Sequence, residues 1–197
     1  MKNLKLRPLL IVLFAAITFA SCDKDDDNVP YVFPSENPLV GFLEDSGFDQ
    51  VSTENVDQIT NRELGYRFRP TASGAITALA VRIPAVNSAL KVTIWDAETQ
   101  EVMKTESFNI TSSGVAVTKP IVAVGLLKDH EYMITMNTND WYSHTRTDNA
   151  NASYPFTEAN IQILGFGYAI GSGQTFPTIS SGNTFDGDVS FTFQRTL

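Results

Sequence analysis

From Glu63 onward the chain alternates apolar and polar residues with period two, the spacing of strands that turn one face to a core. Leu64, Tyr66 and Phe68 share one side of the first such run, and Arg67 and Arg69 share the other. A break at 70–74 leads into Ile76–Ile83, with Leu79, Val81 and Ile83 together. Leu90, Val92 and Ile94 alternate with Lys91, Thr93 and Trp95; the turn at 96–100 and the return from Val102 to Phe108 predict a hairpin. Val115–Val124 is extended but contains Pro120, which predicts an edge strand or a bulge. Tyr132, Ile134 and Met136 form another face, and Ile161–Tyr168 and Val189–Gln194 complete the set, with Val189, Phe191 and Phe193 pointing inward. No run of ten or more residues repeats with helical spacing. The pattern predicts an all-β fold: an antiparallel Greek-key or jelly-roll-like β-sandwich of about eight or nine strands.

The first 62 residues read differently. Residues 29–48 carry Pro30, Pro34 and Pro38 and are expected to be a linker that ends by packing an extended segment, Leu39 to Leu43, on the domain. Residues 49–62 are polar and suit a loop or one short helix. Further on, Leu127-Lys-Asp-His-Glu-Tyr132 has the spacing of a tyrosine corner, whose hydroxyl is expected to satisfy a backbone carbonyl upstream. Tyr132 is therefore a fold residue.

The N-terminus is of another kind again. Lys2, Lys5 and Arg7 precede an apolar run, Leu9–Ala20, that ends in small residues, the three parts of an export signal. Its 12 residues are too few to span a bilayer core, which takes about 20. Ala20-Ser21-Cys22 resembles the lipobox of bacterial lipoproteins, with Phe19 where that family usually has Leu. The resemblance implies a lipid on Cys22, the single cysteine of the chain; an ordinary cleaved signal with a chance cysteine is the alternative. With one cysteine no internal disulfide can form. Asp23-Lys-Asp-Asp-Asp-Asn28 is a charged tether that also resembles the acidic surface-export signal of Bacteroidota lipoproteins. The organisation expected is a signal at 1–21, a tether at 22–38 and a β-sandwich at 39–197. The protein would be anchored through Cys22 to the outer membrane and face outward, a plain periplasmic spacer being the alternative.

Charge narrows the partners. Removing the signal takes 14 basic residues to 11 against 22 acids, a formal charge of −11, with no basic stripe for phosphates. Nucleic acid is disfavoured. No phosphate loop or nucleophile elbow is present, and Gly171-Ser-Gly173 is too short to be one. A carboxylate pair assembled by the fold would be invisible at this level, so a hydrolase stays a minor alternative to a protein without catalysis.

Several segments together, Glu63–Phe68, Ser73–Thr77, Val92–Asp96, Leu127–Tyr132, Phe166–Tyr168 with Phe176–Thr178, and Asp188–Phe191, are similar to the bacterial module known as domain of unknown function 4082. The resemblance covers about residues 60–194 and implies a β-sandwich appended to secreted or surface proteins, with no catalytic residues to transfer. Ser143–Ala159 departs from it in length and polarity.

Trp141 and Tyr142, followed by His144 and Arg146, are the ligand candidates: aromatic faces beside polar and cationic groups suit a sugar ring. The alternative is that Trp141 or Tyr142 plugs one end of the core. Trp95 falls on the face opposite Leu90, Val92 and Ile94, and packing at the hairpin is the expectation for it. Asp186-Gly-Asp188 and Asp148-Asn149 offer oxygen ligands of the kind calcium takes, but two acids around a glycine more often form a solvated turn. His130 and His144 lack partners for zinc. No metal and no cofactor is expected. The function expected is a non-catalytic, lipid-anchored surface module that binds an extracellular carbohydrate, or alternatively an adhesive subunit contacting proteins.

Overall fold

In the computed structural model, residues 32–56 and 60–196 are described. Residues 33–197 form one compact unit. The export signal, Cys22 and the acidic run lie outside the described residues.

Among the described residues, fourteen strands and one helix follow in order: β1 (Ser35–Glu36), α1 (Pro38–Asp45), β2 (Gln50–Asn55), β3 (Arg62–Pro70), β4 (Gly74–Arg82), β5 (Asn87–Asp96), β6 (Val102–Ile110), β7 (Val117–Leu126), β8 (Tyr132–Thr138), β9 (Asp140–Thr145), β10 (Phe156–Glu158), β11 (Ile161–Ile170), β12 (Ile179–Ser181), β13 (Thr184–Asp186) and β14 (Asp188–Arg195). All pairings are antiparallel. One sheet has the order β1-β14-β4-β7; the second runs β10-β11-β3-β8-β5-β6 with β12 also on β11; the third is β13-β9-β2. The fold is an all-β sandwich. It has more strands than the eight or nine expected, because the pattern reveals the long strands and six of the fourteen have only two to six residues.

The two larger sheets meet through the residues that alternation assigned to the core. Leu64, Tyr66 and Phe68 of β3, Leu79 of β4, Ile134 and Met136 of β8, and Phe191 and Phe193 of β14 are all fully buried. Phe191 reaches across to Phe68, with ring centroids 4.6 Å apart. Each such ring contributes roughly 1.5–3 kcal/mol by leaving water. Pro120 falls on β7, an edge strand, beside the irregularity between Ile76 and Ala78 of its partner; the missing N–H is harmless there.

Three expectations for the N-terminal part are corrected. Leu39–Leu43 is helical, not extended: Pro38 opens α1 with its fixed φ, and Leu39 and Phe42, three apart, are its buried face. Residues 50–55 form a strand rather than a loop or helix. All six side chains of β2 are exposed, so it exists through backbone pairing with β9, from Gln50 opposite Thr145 to Asn55 opposite Asp140. No alternation marks such a strand. The packed domain also starts before Leu39, since Ser35 and Glu36 pair with Gln194 and Phe193, and Glu36 accepts from the Asn160 backbone at 2.9 Å.

The tyrosine corner is present with a different partner. The Tyr132 hydroxyl accepts from the Leu127 N–H at 2.9 Å, so the group it satisfies is a donor and not a carbonyl. Tyr132→Phe keeps the ring and orphans that N–H. The expected cost is about 1–2 kcal/mol, read from urea unfolding midpoints; a change within error would assign the corner's stability to the ring alone.

Candidate functional site

The four residues proposed from sequence do not form one site. Trp141 and His144 are buried, at 2 % and 4 % exposure. Trp141 joins the hydrophobic core and lies under the Arg62 guanidinium, 5.0 Å from its ring centroid, so it offers no face to a ligand. Tyr142 is covered by Arg82 at 4.4 Å. His144 Nε2 is 2.6 Å from Asp188 Oδ1. Arg146 turns away to Asp148, with bonds of 2.9 and 2.8 Å, and to the Ser46 carbonyl at 3.0 Å. Strand alternation separates Trp141 from Tyr142 and His144, and Arg146 lies beyond the strand end. The segment 143–159 holds the end of β9, a turn and β10.

Asp186-Gly-Asp188 is a turn, but its acids are not solvated. Gly187 has φ +90°, and a Cβ there would strike the Leu64 side chain and approach Met136 Cε to 2.7 Å. That bend sends the two acids to separate partners. Asp186 accepts from the Ser143 hydroxyl at 2.5 Å, and burial raises its pKa despite that bond and the Arg62 charge. Asp188 takes His144 on one oxygen and Arg82 on the other, with Arg82 Nε at 2.6 Å. Among the described residues no three His, Cys, Asp or Glu side chains converge to hold a metal.

Two crevices are lined entirely by described residues. The first, about 210 Å³, lies between α1 and β4 and is walled by Leu39, Val40, Leu43 and Val81. Its polar rim is already paired: Arg82 with Asp188, and the Ser190 hydroxyl donating to Asn37 Oδ1 at 2.6 Å. The second, about 310 Å³, opens on the outer face of the seven-stranded sheet, between that face and the chain entering β12. Phe176 gives it an aromatic wall, Met133 and Gly167 a floor, and Arg67 and Gln100 polar ends; the Phe166 ring, in register with Tyr66, turns into the core instead. A side chain on Gly167 would push against Met133, whose Cε is 3.2 Å from the Cβ position. Phe176 is set edge-on against buried Trp95, centroids 5.7 Å apart, which fixes its ring. Glu131 holds Arg67 at 3.0 Å and Arg69 at 2.5 Å. Aromatic wall, guanidinium and amide together can stack on an apolar ring face and bond to its edge hydroxyls. Sequence reading singled out none of these as ligand contacts, because they come from β3, β8, β11, the β5–β6 turn and residues 176–180. Only the resemblance flagged Phe166 and Phe176, as fold positions.

Beside the crevice the outer face is unusually polar for a buried surface. Glu63 is 1 % exposed; it accepts from the Thr135 hydroxyl and from Asn137 Nδ2 at 3.0 Å. Trp95 Nε1 donates to Thr135 Oγ1 at 2.8 Å, so Trp95 is packed as expected. Burial raises the Glu63 pKa, and the two hydrogen bonds offset only part of it. For an acid raised in the folded state, the unfolded chain binds fewer protons in the affected window, so stability falls as pH rises. The Glu63 contribution should be complete below its ordinary pKa of 4.5 and be lost as pH climbs through the folded value. Melts of the protein and of Glu63→Gln from pH 4 to 7 should show the parent losing ground to the variant as pH rises; a constant difference would overturn this.

The fold and crevice together define an all-β sandwich module; among the described residues no helix is long and apolar enough to cross a membrane. The chain belongs to the family described as Domain of unknown function (DUF4082), whose profile matches residues 49–185. No curated protein matches it. The match begins at the residue before β2 and ends within β13, so it starts earlier and stops earlier than the span of about 60–194. The central strand β14 falls outside it.

Proposed function

We propose that this protein is a non-catalytic, lipid-anchored module of the outer membrane whose sandwich binds an extracellular carbohydrate in the crevice between Arg67 and Phe176. The observation that carries the reading is the crevice's composition: a fixed aromatic ring faces a guanidinium and an amide in about 310 Å³, near the lower end of small-ligand sites. The α1 crevice is smaller and has no aromatic wall. An adhesive role by strand addition at β7 is disfavoured, since Lys119, Pro120 and a bulge guard that edge. The anchoring part rests on Cys22 and the acidic run after it.

The test is a glycan array probed with the full chain, Phe176→Ala and Arg67→Ala. Binding to a defined glycan set that falls about tenfold or more in each variant supports the site, since each loss is worth about 1.4 kcal/mol or more. Silence of the parent protein across diverse glycans overturns it. Cys22→Ala checks the anchor separately: the variant should leave the membrane fraction, and its retention there would refute lipid attachment.

A further inference from the structure

The outer face of the seven-stranded sheet is built in register. Glu63, Asn137 and Lys91 form one row across β3, β8 and β5. Gly65, Thr135, Thr93 and Thr105 form the next, continuing onto β6. Arg67, Met133 and Trp95 form the third, which borders the crevice. Such a face, with carboxylate, amide, hydroxyls and an indole, would normally meet water. Here Glu63, Thr93, Thr135 and Trp95 are all buried.

What covers them is the segment 171–178, which joins β11 to β12 without regular structure. It holds on mainly by polar contacts. Gln174 Nε2 donates to Thr93 Oγ1 at 2.9 Å and to Thr105 Oγ1 at 2.6 Å. Asn137 Nδ2 donates to the Gly171 carbonyl at 3.2 Å and reaches that of Gly173 at 3.5 Å. Phe176 on Trp95 is its aromatic contact. Residues 172–175 are exposed, and a Cβ on Gly171 or Gly173 would meet nothing within 4 Å, so this first part is not wedged by packing, whereas Phe176 and the buried Pro177 pin the far end.

We infer that the first part of this strap, 171–175, is a displaceable self-ligand: the Gln174 amide occupies hydroxyl partners that a neutral oligosaccharide takes when that part lifts while Phe176 stays in place, extending the crevice into a groove for several sugar units. The inference rests on the carbohydrate reading of the crevice and adds the ligand's length and charge. Sugar hydroxyls replace the contacts of Gln174 and of the two glycine carbonyls in kind, and the Trp95 ring becomes a second stacking platform beyond Phe176. A neutral sugar matches this face because its charged groups are already held, Arg67 by Glu131 and Glu63 by the Thr135 hydroxyl and the Asn137 amide. A monosaccharide fits the crevice and has no reason to open the strap.

The test uses the full chain carrying Trp141→Phe, so that Trp95 is the single tryptophan; Trp141 Nε1 has no hydrogen-bond partner to lose. Gln174→Ala removes two neutral hydrogen bonds and should raise the open population roughly tenfold, seen as greater acrylamide quenching of Trp95 and faster amide exchange in 171–175. Thr105→Val, which leaves the strap's sequence intact, should do the same to a smaller degree. Ladders of neutral glucan, mannan and xylan oligosaccharides are then titrated. Gln174→Ala should tighten the longer members about as much as it opens the strap, and leave disaccharides unchanged. Trp95 still shielded in both variants overturns the inference, with the strap a fixed cover. Longer glycans that bind parent and variant equally also overturn it, while the crevice reading survives. A strap that opens while no glycan binds either protein overturns the crevice reading and the ligand named here.

Discussion

Replacing Asp188 with alanine is expected to destabilise the protein by about 3 kcal/mol or more, the cost of removing one member of a buried ionic cluster. Asp188 opens β14 at 6 % exposure, and both its oxygens are used, by Arg82 from β4 and His144 from β9. The cluster thus ties the four-stranded sheet to the three-stranded one. Without the carboxylate, Arg82 can recover water, since its side chain is 38 % exposed. His144 cannot, and its Nε2 is left without a partner in a buried position. Asp188→Asn keeps the shape and one acceptor, so its loss should be about half as large. Urea unfolding measures both, and a double-mutant cycle with His144→Ala isolates the contact between sheets. A coupling energy near zero would mean that Asp188 serves Arg82 alone.

This cluster also marks where the sequence stops being readable. The long strands were legible because burial of one face leaves a period-two trace, and Phe68, Val92, Ile134 and Phe191 lie where that trace puts them. The trace records which side of a strand is apolar; it does not record what covers the other side. Asp188 and Ser190 sit on the polar side of β14 yet are buried, because α1 packs against that strand. Thr93, Thr135 and Glu63 sit on the polar side of the larger sheet and are buried because of the strap. Trp141 illustrates the converse: a Trp-Tyr pair among polar residues looks like a binding edge, but β2 and Arg62 enclose it. The crevice draws its lining from segments more than a hundred residues apart, and no local spacing encodes that.

Phe42→Ala should be the other large loss, about 3–5 kcal/mol, as for a buried phenylalanine whose cavity only partly collapses. Phe42 is fully buried at the centre of an aromatic cluster, with centroids 4.9 Å from Phe185, 5.3 Å from Phe156, and 5.9 Å from both Phe48 and Tyr154. These rings come from β13, β10 and the loops that follow α1 and precede β10. The helix has only eight residues and no side-chain cap at its N-terminus. A helix that short is not stable by itself in water, so tertiary contact is what keeps it folded, and Phe42 supplies its aromatic part beside the buried Leu39. The damage should therefore be uneven. Backbone amides of α1 should exchange far faster in the variant, while those of β3, β8 and β5 keep their order of protection. Val40→Ala on the exposed side of the same helix should cost less than about 1 kcal/mol. Uniform loss of protection across both sheets in Phe42→Ala would instead make the helix part of the sandwich's single cooperative unit.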